Sequence, residues 1–220
     1  GNSANQGAGV YNSSSSSSNP TLTDCTFENN WADYNGGGMY NLYSNPTLTD
    51  CIFIDNLANG YGGGMWSVGS PTLTDCIFVK QLYGGGMYNA GSSTLTNCIF
   101  IGNISGHDGG GLCISGFVDI PTLTNTTVCG NTPDQIYGDW TDNGGNCIAE
   151  SCDDANDDGI PDECQCLADI NGDGYVGITD LLAVIDVWGC TDCSDVDVNL
   201  DGIVNLDDLV IVFNAWGECE

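Results

Sequence analysis

The chain has 220 residues, 41% of them hydrophobic, enough for one elongated domain and a small one, with a packed core rather than disorder. Thirty acidic residues face one basic side chain, Lys80, and one histidine, His107, for a formal net charge of −29, which excludes nucleic acid and anionic membrane surfaces as partners. Thirteen cysteines, without the His partners and paired C-x-x-C motifs of a zinc site, point to disulfides and a secreted or surface-exposed location, and no apolar run is long enough to insert into a bilayer.

Such a chain repels itself on compaction unless cations neutralise part of its charge, and oxygen-rich Ca²⁺ sites are the expected solution. The odd cysteine count leaves at least one thiol unpaired if the rest pair within the chain. The sequence opens in mid-repeat at Gly1-Asn2-Ser3-Ala4-Asn5, with no initiator Met or signal peptide, as expected for part of a longer chain.

From the N-terminus onward, two motifs alternate. Pro-Thr-Leu-Thr-Asp-Cys occurs at Pro20 to Cys25, Pro46 to Cys51 and Pro71 to Cys76, with weaker copies at Ser93 to Cys98 and Pro121 to Thr126. In antiphase come Gly36-Gly37-Gly38-Met39-Tyr40, Gly62 to Trp66, Gly84 to Tyr88, Gly109 to Cys113 and a degenerate Gly7 to Tyr11. The period is 22 to 28 residues, and each unit holds only short β-rich runs between Gly, Asn, Ser and Pro.

No unit can bury its apolar face alone. Stacked coil on coil, Leu22, Leu48, Leu73, Leu95 and Leu123 align inside, as do Phe27, Phe53, Phe78, Phe100 and Val128. Asn30, Asn56, Gln81, Asn103 and Asn131, three residues beyond each, are expected to form an amide ladder that sets the register. Cys25, Cys51, Cys76 and Cys98 face inward one per coil, read as buried thiols rather than bridged neighbours, because a coil spacing of about 4.8 Å strains a disulfide. The run Ser13 to Ser18 reads as a loop, with O-linked sugar as the alternative. Asn12, Asn103 and Asn125 head N-glycosylation sequons, a motif of little weight in most bacteria.

These repeats resemble the right-handed parallel β-helices of bacterial surface proteins, over roughly residues 1 to 135. That fold also hosts polysaccharide lyases and hydrolases, but Lys80 is alone, and Asp24, Asp50 and Asp75 recur at every coil rather than forming one carboxylate pair. His107-Asp108 reads as a turn. Tyr40, Trp66 and Tyr88 form either a sugar-stacking stripe or inward packing. No catalytic residue is expected.

Next comes an acidic segment, Asp154 to Glu163, flanked by Cys152 and Cys164. Asp154, Asn156, Asp158, the Ile160 carbonyl and Asp162 fit a calcium loop that looks like a thrombospondin type 3 repeat, against a solvated linker as the alternative. Two further loops carry acidic or amide groups at positions 1, 3, 5 and 12, glycine at 6 and a backbone carbonyl at 7. The first places Asp169, Asn171, Asp173, Tyr175 and Asp180 around the ion. The second places Asp197, Asn199, Asp201, Ile203 and Asp208.

No helix enters either loop, but an apolar-periodic helix leaves each. Asp180 to Trp188 carries Leu181, Leu182, Val184, Ile185 and Trp188; Asp208 to Trp216 carries Leu209, Val210, Val212, Phe213 and Trp216. Gly189 and Gly217 stop them, and the two apolar faces are expected to pack together. Loop and exiting helix, twice over residues 166 to 219, resembles a dockerin domain, with Trp-Gly-Cys endings like the dockerin-like tails of secreted planctomycete proteins. Cys166, Cys190, Cys193 and Cys219 and the lack of a Ser-Thr pair depart from cellulosomal dockerins. The adjacent termini of a dockerin imply Cys166 with Cys219 and Cys190 with Cys193, among three possible pairings.

The whole reads as mainly β: a right-handed parallel β-helix of about five coils (1–146), a Cys-flanked acidic linker (147–165) and a small α dockerin-like domain (166–220). The expected function is a non-enzymatic, extracellular or cell-surface structural or adhesive protein. Its Ca²⁺-loaded tail docks to a protein partner, or to a neighbouring subunit at the open β-helix end to build a head-to-tail filament. The alternative is a polysaccharide-binding or polysaccharide-degrading protein.

Overall fold

A computed structural model describes residues 1–13, 19–116, 120–153, 161, 164, 168–171, 175–191, 193, 195–199 and 201–218. The chain divides into two units, Gly1–Cys164 and Gln165–Glu220.

The first unit is a parallel β-helix of about five turns whose strands stack into three six-stranded sheets and a short fourth of Ser3–Ala4, Trp31–Ala32 and Leu57–Ala58. The first sheet stacks Val10–Ser13, Met39–Leu42, Met65–Val68, Met87–Asn89, Leu112–Ile114 and Ile136–Tyr137. The second stacks the five Thr-Leu-Thr strands and Thr141–Asp142. The third stacks Thr26–Glu28, Ile52–Ile54, Ile77–Val79, Ile99–Ile101, Thr127–Cys129 and Cys147–Ala149. Side chains alternate across each strand, so the Leu and Phe columns align in register inside, as expected from the repeat. Phe27, Phe53, Phe78 and Phe100 stack ring on ring at 4.4 to 4.6 Å.

The last glycine of each triplet makes room for that stack. A Cβ on Gly38 would lie 2.8 Å from Phe53 Cδ1, and one on Gly64 2.7 Å from Phe78 Cδ1, so each ring occupies the space left by the missing side chain. The corners are made by Asp24, Asp50, Asp75, Asn97 and Asn125, all with φ between 47° and 54°. Asp and Asn tolerate the left-handed region better than other non-glycine residues, which accounts for the recurrence of the acidic column. Side-chain ties run along the column, from Asn97 Nδ2 to Asp75 Oδ1 (2.9 Å) and from Asn125 Nδ2 to Asn97 Oδ1 (3.4 Å).

The amide ladder is continuous. Asn103 Nδ2 donates to the Phe78 carbonyl at 3.0 Å and to Asn131 Oδ1 at 2.9 Å, while its Oδ1 accepts the Gln81 N–H at 3.0 Å. Asn56, Gln81 and Asn131 likewise donate to the Phe27, Phe53 and Phe100 carbonyls. A second ladder, not anticipated, follows the aromatic column: Asn12 Nδ2 donates to Asn41 Oδ1 (2.7 Å) and Asn41 Nδ2 to Ser67 Oγ (3.0 Å). It stops at Asn89, whose neighbour in the next turn is Ile114, and Asn89 Oδ1 is buried without a partner.

Cys51, Cys76 and Cys98 are fully buried free thiols, with Cys25 half-buried above them. Cys113 is a fifth free, buried thiol. Two bridges close the far end, Cys129–Cys152 and Cys147–Cys164. The β-helix runs beyond residue 146, because Cys147–Ala149 pairs in register with Thr127–Cys129 as a last rung. The cysteines flanking the acidic segment therefore tie it back to the solenoid rather than to each other.

In the second unit α1 (Ile178–Asp186) and α2 (Leu206–Asn214) each begin and end two residues earlier than the sequence spacing suggests. The reason is capping: Asp180 and Asp208 sit at the third helical position and accept the N–H of the cap residues, Gly177 (2.8 Å) and Asn205 (2.7 Å). Only part of the apolar surface packs inward. Val184 and Val212 meet Val176, Val198, Val204 and Ala168 in the core, with Leu181 and Leu209 against it.

Candidate metal centre and docking face

The two loops are copies offset by 28 residues, and their backbones close in the same way. Asp180 accepts the N–H of Asn171 (3.1 Å) and of Gly177 through its two oxygens; Asp208 accepts those of Asn199 (3.1 Å) and Asn205. Both carboxylates are fully buried. Burial pushes the Asp180 carboxyl up, but the N–H groups of Gly177, Asn171 and their neighbours together hold it below the usual carboxylate range.

The second loop is described at all five expected positions. Asp197 accepts the N–H of Asp201 (3.2 Å) and Gly202 (2.8 Å), so the chain wraps around its first carboxylate. Asn199 Oδ1 accepts the Asp201 N–H at 2.9 Å, and Asp201 Oδ1 accepts the Ile203 N–H at 3.0 Å. The donor set is all oxygen: three carboxylates, one amide and the Ile203 carbonyl, a chemistry that fits a hard divalent cation. Among the described residues no three His, Cys, Asp or Glu side chains converge as a metal cluster; the carboxylates face the loop's own amides. In the first loop Asp169, Asn171, Tyr175 and Asp180 are described. Asp173, the third-loop set Asp154, Asn156, Asp158, Ile160 and Asp162, and also Cys166, Cys219 and Ser14 to Ser18, lie outside the described residues.

The loops support each other crosswise. Tyr175 and Val176 of the first pair antiparallel with Glu218 and Gly217 beyond α2. Val204 of the second bonds to the segment beyond α1: Gly189 N–H to the Val204 carbonyl (2.7 Å) and Val204 N–H to the Cys190 carbonyl (2.9 Å). Cys190 is bridged to Cys193.

The sequence also anticipates that the helix faces pack together, and half of that surface does not. Ile178, Leu182, Ile185 and Trp188 remain exposed along and beyond α1, and Leu206, Val210, Phe213 and Trp216 along and beyond α2, with Leu182 at 54% and Phe213 at 67%. The spacing of each set is the same, and each residue of the first has its counterpart 28 residues on. Two stripes of four large apolar side chains therefore stand in solvent on a unit without a single Lys, Arg or His.

On the solenoid, the aromatic column faces outward. Tyr11, Tyr40, Trp66 and Tyr88 stack at 5.0, 4.3 and 5.8 Å, within 5° of parallel. At such spacings the ring faces cover one another and edges meet solvent, so the column does not offer the open faces on which a sugar stacks. His107, in its bend, stacks on Tyr61 at 4.6 Å.

No curated protein and no solved structure matches the chain. Among the described residues no helix is long and apolar enough to cross a membrane. The profile of one family, described as right handed beta helix region, matches residues 2–132, which hold all but the last strand of each of the three six-stranded sheets. With more than half its length covered by that match, the chain belongs to the right-handed β-helix family.

Proposed function

We propose that this is an extracellular, non-enzymatic structural or adhesive protein whose C-terminal unit, loaded with Ca²⁺, docks it to a protein partner or a neighbouring subunit. The observation that carries this reading is the pair of exposed apolar stripes on the helices leaving the loops. Solvent-exposed Leu182, Ile185, Trp188, Val210, Phe213 and Trp216 form a surface of the kind that marks protein interaction sites. The unit resembles a dockerin in the order of its parts, and the disulfides of both units support an oxidising, extracellular setting.

In this reading Asp197, Asn199, Asp201, the Ile203 carbonyl and Asp208 hold one ion, Asp169, Asn171, Asp173, the Tyr175 carbonyl and Asp180 a second, and the Asp154 to Asp162 loop a third. Calcium supplies positive charge that offsets self-repulsion and fixes the helix starts. The solenoid serves as a rigid spacer, and its corner carboxylates serve backbone geometry rather than chemistry.

Sedimentation velocity of the full chain tests the docking role. Calcium should convert monomer into larger species, chelation should reverse this, and Leu182→Asp with Phe213→Asp should abolish it without changing the far-UV spectrum. A monomer indifferent to calcium and to both substitutions would sink assembly through this face. Incubation with acidic and neutral polysaccharides should yield no new reducing ends and no unsaturated product.

A further inference from the structure

Two of the backbone bonds that hold the second loop end on cysteine carbonyls. At the start, the N–H groups of Val196 and of Asp197, its first oxygen donor, point to the Cys193 carbonyl, each at 3.0 Å. Midway, the Val204 N–H, next to the Ile203 carbonyl that completes the donor set, points to the Cys190 carbonyl at 2.9 Å. Cys190 and Cys193 are joined to each other, with Cα atoms 5.8 Å apart. One covalent bond thus fixes the distance between these two supports of the loop.

We propose that the Cys190–Cys193 bridge is the element that pre-forms the second cation loop, so that opening it lowers the affinity of that loop for a divalent cation. The inference rests on the calcium reading above and adds a control to it. A loop whose anchors are held together loses less freedom on closing round an ion than one whose anchors drift apart. Opening needs an external dithiol: two electrons and two protons pass to the cysteine sulfurs, giving two thiols, and the dithiol leaves as its own disulfide. Both cysteines are only half-buried, which gives a reductant access.

The test is calorimetric titration of the full chain with Ca²⁺, comparing wild type with Cys190→Ser/Cys193→Ser. One binding event should weaken by roughly tenfold, the scale set by closing so short a covalent loop, while the others keep their affinity. A second measurement avoids refolding: folded wild type is treated with dithiol, and samples in which peptide mapping finds this bridge alone opened are titrated. The same single event should weaken. Binding that is unchanged in both samples overturns this inference and leaves the calcium reading standing; wild type that binds no Ca²⁺ at all overturns both.

Discussion

Replacing Asn103 by Leu should remove one rung of the amide ladder at nearly constant volume. The Gln81 N–H would lose its partner inside the solenoid, the Phe78 carbonyl would lose one donor while keeping its place in the strand ladder, and Asn131 Oδ1 would lose one of two donors from this residue while keeping the Asn103 N–H. An orphaned buried backbone group costs roughly 1–3 kcal/mol, which sets the expected loss. That is a large share of the roughly 5–15 kcal/mol that holds a domain folded. Guanidinium unfolding should show a midpoint shift of this size, and hydrogen exchange should quicken at Gln81 and its neighbours. Asn103→Asp should do comparable harm at neutral pH, because an ionised carboxylate has no hydrogen to donate, and the harm should shrink as acid protonates it. Asn59→Ala, an exposed amide, should change stability by less than ~0.5 kcal/mol. If Asn103→Leu behaves like Asn59→Ala, the ladder does not hold the coils in register.

Gly64→Ala should destabilise the solenoid by about 1–3 kcal/mol in the same unfolding assay, because its Cβ would crowd Phe78 Cδ1 and force the ring stack to shift. Burial pushes the Cys51 thiol from an ordinary value near 9 up to about 11. The thiol stays protonated in the fold while the unfolded chain ionises, so its contribution to stability should be constant below pH 9 and fall between pH 9 and 11, by roughly 3 kcal/mol; Cys51→Ala should flatten that fall. Burial, followed by the nearby Asp108 charge, likewise pushes Cys113 up to about 11. Iodoacetamide at pH 8 should therefore label Cys25 readily in the native protein, and Cys51 and Cys113 only after unfolding.

The solenoid was largely legible because a repeat places equivalent residues on top of one another. The Leu, Phe and Asn columns could be read from the 22 to 28 residue spacing alone, and they meet as that spacing demands. What sequence could not reveal is contact between different motifs. Gly38 and Phe53 are fifteen positions apart in one turn and touch only because that turn closes on itself and brings two of its faces together, so the reason for the last glycine of each triplet appears only in three dimensions. The direction of Tyr40, Trp66 and Tyr88 was ambiguous for a similar cause: alternation along a strand separates Met from Tyr without saying which is inside.

The packing of the C-terminal unit is not legible in its sequence. Its helices are apolar over most of their circumference, so periodicity could not show that Val184 and Val212 go in while Leu182 and Phe213 stay out. The helices start two residues before the sequence spacing suggests because Asp180 and Asp208, which look like loop residues, act from inside the first turn. The Cys190–Cys193 bridge matches the pairing that the dockerin resemblance implies, but its carbonyls' hold on Asp197 and Val204 has no signature in spacing.

Native mass spectrometry of the disulfide-intact chain in micromolar to millimolar Ca²⁺ tests the account most directly. The mass should rise by one calcium for each of the two C-terminal loops, with a further one for the Asp154 to Asp162 loop, and Asp197→Ala with Asp208→Ala should remove a single ion. A chain that keeps its metal-free mass throughout that range would contradict the calcium-loaded docking unit on which the functional proposal stands.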